Sequence, residues 1–181
     1  MRRFLSDFTM WLFCVALVPA HAAPIGYAAD GDTSVPSPFY RIDFATNTIT
    51  QIGTNNPRME GLAFGPGAAV LYGISDTTDS LYTVSTVDGA VTLVGSLGAS
   101  INNPGMAFCP DNQTMYFSAD GGDGQLWRVN LSTGQATLVG ESTSLPYNPQ
   151  GLSCSPDGVL HSVDSTTDSL YRVNRTTGQA T

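Results

Sequence analysis

Phe39-Tyr40-Arg41-Ile42-Asp43, Leu81-Tyr82-Thr83-Val84-Ser85, Leu126-Trp127-Arg128-Val129-Asn130 and Leu170-Tyr171-Arg172-Val173-Asn174 are four versions of one block, starting 42, 45 and 44 residues apart. Each alternates. Tyr40/Ile42, Tyr82/Val84, Trp127/Val129 and Tyr171/Val173 fall on one side of a strand and their neighbours on the other. A recurrence near this period marks a four-stranded unit that cannot bury both its faces alone and has to stack on its neighbours. The fold expected is therefore all-β, a β-propeller of four-stranded antiparallel blades. One aromatic per blade is expected to pack against the next blade.

The second repeat shows the whole unit. Strands at Gly61 to Phe64, Val70 to Ser75, Leu81 to Ser85 and Val91 to Gly95 are separated by turn signals, of which Gly65-Pro66-Gly67 and Val87-Asp88-Gly89 are the clearest. Gly89, Gly134 and Gly178 each lie five residues after the block's valine, and Asn47 lies five after Ile42. Asn is the residue that best replaces Gly where φ is positive, so this register is one of backbone geometry. Gly61, Gly105 and Gly151 enter the innermost strands. Blade repeats fall near 25–53, 54–95, 96–140 and 141–181, the first without a first strand and the last stopping inside a fourth. That is just under four blades, an incomplete propeller and a fragment of a longer chain rather than a closed four-bladed ring.

Residues 1–22 read as an export signal: Arg2 and Arg3 precede the apolar stretch Met10 to Val18, and Ala20-His21-Ala22 supplies a small-x-small cleavage site. The apolar core is too short for a spanning helix, so a secreted, periplasmic or cell-envelope protein is expected, with no membrane insertion once the signal is cleaved. The remaining 23–181 is one repeat region of 159 residues with 5 arginines, no lysine and 14 acidic side chains, a formal net charge of −9. Such a surface repels phosphate backbones and excludes nucleic acid as a partner. Of three cysteines Cys14 leaves with the signal; Cys109 directly precedes Pro110 while Cys154 lies two before Pro156. This offset, with innermost strands expected to splay, favours two buried thiols over a bridge.

Antiparallel strands sort the loops by face. The loops after second and fourth strands share one rim, and it holds eight of the twelve aspartates beyond the signal. Its candidate binding residues are Asn56, Glu60, Asp76, Asp79, Asn103, Asp120, Asp123, Asn148, Asp164 and Asp168. A focused negative field favours a cation or a basic partner; the competing reading is turn chemistry, since Asp and Asn accept hydrogen bonds from backbone N–H two residues on. Calcium is the cation to consider, although no loop has the D-x-D-x-D-G ligand run and six to eight oxygens would have to come from several blades. Catalysis has less support. His161, the only histidine beyond the signal, takes the strand slot of Tyr72 and Tyr116 and reads as a packed residue; Arg41, Arg128 and Arg172 read as surface ladders between blades.

Gly61-Leu62-Ala63-Phe64-Gly65-Pro66, Gly105-Met106-Ala107-Phe108-Cys109-Pro110-Asp111 and Gly151-Leu152-Ser153-Cys154-Ser155-Pro156-Asp157-Gly158 resemble the G-L-A-F-S-P-D-G core of bacterial propeller repeats. The likeness is to YVTN-type and NHL-type proteins, to the gluconolactonase/regucalcin family, and most of all to exported bacterial proteins, some with a C-terminal envelope-sorting tail. The lactonase likeness implies a divalent metal in the central channel held by Glu, Asn and Asp from separate blades. The slot before the first-strand Gly, where that family has Asn, here holds Glu60, Pro104 and Gln150; its Asp corresponds to Asp120 or Asp164. The expectation is a non-enzymatic binding module for a protein or glycan, with no cofactor; the rival is a metal-dependent lactonase or esterase. A fragment exposing blade faces is expected to self-associate.

Overall fold

The structure, a computed structural model, describes residues 24–30, 35–119, 124–140, 149–164 and 167–181. Blade one comprises β1 (Ile25–Ala29), β2 (Ser37–Asp43) and β3 (Thr48–Asn55). Blade two has β4 (Gly61–Phe64), β5 (Leu71–Ser75), β6 (Ser80–Val84) and β7 (Val91–Ser96). Blade three has β8 (Gly105–Cys109), β9 (Thr114–Ala119), β10 (Gln125–Val129) and β11 (Ala136–Leu138). Blade four has β12 (Pro149–Cys154), β13 (Leu160–Asp164) and β14 (Ser169–Val173), extended by a bridge from Val173 to Ala180. Each is an antiparallel meander in chain order, giving two four-stranded and two three-stranded sheets. The first strands β4, β8 and β12 neighbour one another across blades and form the inner wall. A single 3₁₀ turn at Pro66–Ala68 is the one helical element among the described residues, which form no closed ring.

The chemistry of the outer hairpin is repeated locally. The residue ending each aromatic block opens the turn: Asp43 Oδ1 accepts from the Ala45 N–H at 3.0 Å, Asn130 Oδ1 from Ser132 at 2.9 Å and Asn174 Oδ1 from Thr176 at 2.8 Å. The turn closes at positive φ, with Asn47 at 52°, Gly89 at 73°, Gly134 at 79° and Gly178 at 74°. A second glycine column completes the motif. Gly53, Gly95 and Gly140, in or just beyond the fourth strands, lie against the backbones of Asp88, Thr133 and Thr177, so each blade's outer edge seats on the outer turn of the next. These close approaches set the blade spacing, because no side chain fits there.

Three apolar clusters fill the three seams. Phe39, Met59, Leu71, Tyr82 and Val84 lie between blades one and two; Ile74, Leu81, Met106, Met115, Phe117 and Val129 between two and three; Tyr116, Leu126, Val139, Leu160 and Val173 between three and four. The pairing registers make the slots equivalent. Ala29↔Phe39, Ile74↔Leu81, Ser118↔Leu126 and Val163↔Leu170 face the following blade. Tyr82 and Trp127 therefore pack toward the preceding blade, not the next one, and Trp127 stacks on Phe117 of its own blade with centroids 6.0 Å apart. Fully burying a side chain such as Leu81 contributes about 1.5–3 kcal/mol.

Two strand residues differ from their sequence reading. His161 does hold the Tyr72/Tyr116 slot, pairing with Arg172 as those pair with Thr83 and Arg128. It is half-buried on the open side of blade four instead of packed in a seam, because no described blade follows. Arg41 pairs at 3.6 Å with Asp43 in its own strand, not across blades, since side chains two apart share a face.

Candidate functional site

Blade two builds the best-defined part of the acidic rim. The Glu60 N–H donates to the Ile74 carbonyl at 2.9 Å, which pins the entry to β4 beside the end of β5. Arg58 then reaches both carboxylates, with Nη2 2.8 Å from Glu60 Oε1 and 3.3 Å from Asp76 Oδ1. The Glu60 and Asp76 side chains are only 8% and 9% exposed, and the one guanidinium serves both. Arg58 is what the sequence reading missed. The available signal was that it alone, of five arginines beyond the signal, lies outside the third strands and the outer turns.

The other rim residues divide between turn chemistry and open solvent. Asp79 sits at φ 48°, its Oδ1 accepting the Ile101 N–H at 2.9 Å and its carbonyl the Leu97 N–H at 2.9 Å, which ties one rim loop to the next. Asp168 takes the same slot in blade four at φ 50° and is exposed. Asn103 is exposed at φ 44°, and Asn56 is exposed ahead of the cis bond to Pro57. Asp164 is buried at the end of β13, where Oδ2 accepts from Thr167 Oγ1 at 2.8 Å. By register Asp164 matches Ser75, one position before Asp76, so these two aspartates are not equivalent members of a ring. Glu60 and Asp76 are brought together on blade two, whereas Asp164 and Asp168 stand on blade four. Asp120, Asp123 and Asn148 lie outside the described residues.

The opposite face carries a covalent link that overturns the reading of two buried thiols. Cys109 and Cys154 form a disulfide with Cα atoms 5.2 Å apart. The one-residue offset is the reason. Cys154 pairs with Leu160, a residue facing back toward blade three, while Cys109 pairs with Thr114, on the side facing blade four, so strand alternation aims the two sulfurs at each other. Nor do the inner strands splay: a Cβ on Gly105 would lie 3.0 Å from the Gly151 Cα. Arg175 adds a bidentate pair to Asp111 across the same seam, both contacts at 2.8 Å. Beside the disulfide the inner strands line a shallow groove of about 490 Å³, with Phe64, Met106, Phe108 and Leu152 on its wall.

Four carboxyls on this face are held below the usual carboxylate range. The cause is the Arg175 hydrogen bond for Asp111, the Ser85 and Ser155 side chains for Asp88 and Asp157, and the Thr46 N–H for Asp43. A pKa lower in the folded state gives stability that is present above the unfolded value, about 3.9, and lost as pH falls through the folded one. The melting temperature should thus hold between neutral pH and about 5 and decline below about 4. Asp111→Asn should shrink that decline; a melting temperature that rises on acidification below this point would contradict the assignment.

Comparison with known proteins places this arrangement in a class. Residues 27–181 match the model of the repeat of unknown function DUF6923, and the chain belongs to that repeat family. No curated protein matches it. Among solved structures it is similar to regucalcin, a calcium-binding protein from Agrobacterium tumefaciens, at 22% identity and TM-score 0.55, over 89% of this chain and 60% of that one. A structural-genomics protein of unknown function from Bacteroides thetaiotaomicron matches at 21% and 0.61, over 87% and 42%. A catalytically inactive virginiamycin B lyase from Staphylococcus aureus, solved with quinupristin, matches at 15% and 0.57, over 89% and 53%. At these identities the likeness is one of fold, that of a β-propeller, and the chain spans between 42% and 60% of the length of these structures.

Proposed function

We propose that this chain is an exported propeller module that binds a basic segment of a protein partner on its acidic rim and performs no catalysis. The observation that carries this reading is the charge of the rim: Glu60, Asp76, Asp79, Asp164 and Asp168 stand there against one arginine, Arg58, among the described residues. A field of this sign draws in arginine and lysine side chains. Export is supported by the leader pattern of residues 1–22 and by the disulfide, which persists in oxidising compartments. No helix among the described residues is long and apolar enough to cross a membrane.

The metal-dependent lactonase reading is less well supported by the ligand set. Glu60 already pairs with Arg58, which also holds Asp76, and the equivalent slots at Pro104 and Gln150 carry no carboxylate. A guanidinium occupying Glu60 and Asp76 repels a divalent ion, so these two described acids do not fit as ligands of a channel metal.

The test compares two variants of equal net charge. Asp79→Asn/Asp168→Asn removes two charges from the rim with a residue that tolerates positive φ and, at 79, still accepts the Ile101 hydrogen bond; Asp88→Asn/Asp157→Asn removes the same charge from the opposite face. Binding of a labelled oligo-arginine peptide, followed by anisotropy at low salt, should weaken roughly thirtyfold in the rim variant, since two contact charges in water are worth about 1 kcal/mol each. The opposite-face variant should bind like wild type. Equal losses in both would reduce the effect to net charge and overturn the rim, and binding of a neutral oligosaccharide unaffected by the rim variant would point to a glycan instead.

A further inference from the structure

We infer that Asp76 is the point at which the rim selects arginine over lysine, and that Arg58 is the chain's own competitor for it, giving way to an arginine of the partner. The inference rests on the rim reading above. Two guanidinium–carboxylate contacts on this molecule set the scale. On the opposite face Arg175 meets Asp111 fork to fork, Nη1 on Oδ1 and Nη2 on Oδ2, both at 2.8 Å. That is a full bidentate pair at charge-assisted length. At the rim Arg58 brings one nitrogen to both oxygens of Asp76, Nη2 lying 3.3 Å from Oδ1 and 3.4 Å from Oδ2. Both distances exceed the usual N–H···O range. The same nitrogen is 2.8 Å from Glu60 Oε1, so Arg58 is anchored on Glu60 and only leans on Asp76.

Both sides of this contact are placed to exchange. Arg58 stands in the connection between β3 and β4, with its side chain 26% exposed. Thr77 and Thr78, which follow Asp76 in the rim loop, are exposed. Arg58 can therefore keep its short contact to Glu60 while releasing Asp76, which costs it two long ones. An incoming guanidinium gains a fork-to-fork pair in their place. Lysine gains less from the same exchange, because its ammonium is a compact, strongly hydrated point charge without a planar fork. The rim thus ranks basic segments by their arginine content, and Arg58 sets the threshold that a partner has to exceed.

The experiment adds Arg58→Gln to the oligo-arginine titration, with Arg128→Gln, at an exposed position on β10, as a control that removes the same charge. The control reports the effect of net charge alone. Arg58→Gln should bind oligo-arginine about tenfold more tightly than the control, the scale of one contact charge between open water and partial burial. For oligo-lysine the two variants should agree to within about threefold, the scale of an exposed ion pair. Adding Asp76→Asn to Arg58→Gln should abolish the tenfold gain. Arg58→Lys keeps the net charge and weakens the competitor, so it should tighten oligo-arginine by about threefold over wild type. It is read in place of the glutamine variant if that one disturbs the circular dichroism spectrum. No gain over the control or from Arg58→Lys, an equal gain for oligo-lysine, or a gain that survives Asp76→Asn would each overturn the inference. Failure of the rim reading shows separately: the rim and opposite-face double variants then lose binding equally, and both readings fall.

Discussion

Breaking the Cys109–Cys154 bridge should cost about 4 kcal/mol of unfolding free energy, the chain-entropy value for a loop of this size. The bridge spans 45 residues and joins the inner strands of blades three and four. Stacked repeats hold each other only through nearest-neighbour seams, so a link across one seam bears on the whole of blade four. Arg175 and Asp111 clamp the same seam, but at 24% and 32% exposure their pair is screened by solvent and cannot replace it. Urea unfolding of the oxidised chain, the reduced chain and Cys109→Ala/Cys154→Ala should place the last two together. Their thermal midpoints should fall by about 8–16 °C. Superimposable oxidised and reduced curves would mean that the bridge contributes nothing.

A methyl group on Gly95 should be nearly as damaging. The new Cβ would overlap the Thr133 carbonyl oxygen, far inside van der Waals contact, and on Gly53 that of Asp88. A flexible side chain could rotate away, but these are backbone atoms, so the blades must part. We expect Gly95→Ala and Gly53→Ala each to cost about 3 kcal/mol or more, the upper range for overpacking. Gly67→Ala is the control. Gly67 has φ 63°, and a methyl group there would meet nothing within 4 Å, so only the left-handed backbone penalty of about 1–2 kcal/mol applies. If chemical denaturation gave Gly95→Ala the same cost as Gly67→Ala, the seam would not be set by this contact.

What could be read from residues alone was whatever repeats. The aromatic block, the outer turns at Asn47, Gly89, Gly134 and Gly178, and the count of strands per blade each recur, and recurrence separates a structural signal from chance. The second glycine column at Gly53, Gly95 and Gly140 recurs as well, yet its meaning lies between blades and shows only when two of them are stacked. The disulfide was misread because the one-residue offset of Cys154 looked like a mismatch, when strand alternation makes it the condition for meeting Cys109. Arg58 occurs once. Nothing in a single sequence says that one arginine will fold back between Glu60 and Asp76, since the loop path that brings them together is tertiary. The same limit applies to Asp164, whose offset from Asp76 appears only in the pairing register.

Amide hydrogen exchange of the oxidised chain, with and without an oligo-arginine peptide, tests the rim most directly. The proposed function requires added protection at residues 56–60, 76–79, 97–103 and 167–168, the loops after the second and fourth strands, with little change at 43–47, 86–90, 110–113 and 155–158 on the opposite face. Protection confined to that opposite face, or spread evenly over both, would contradict it.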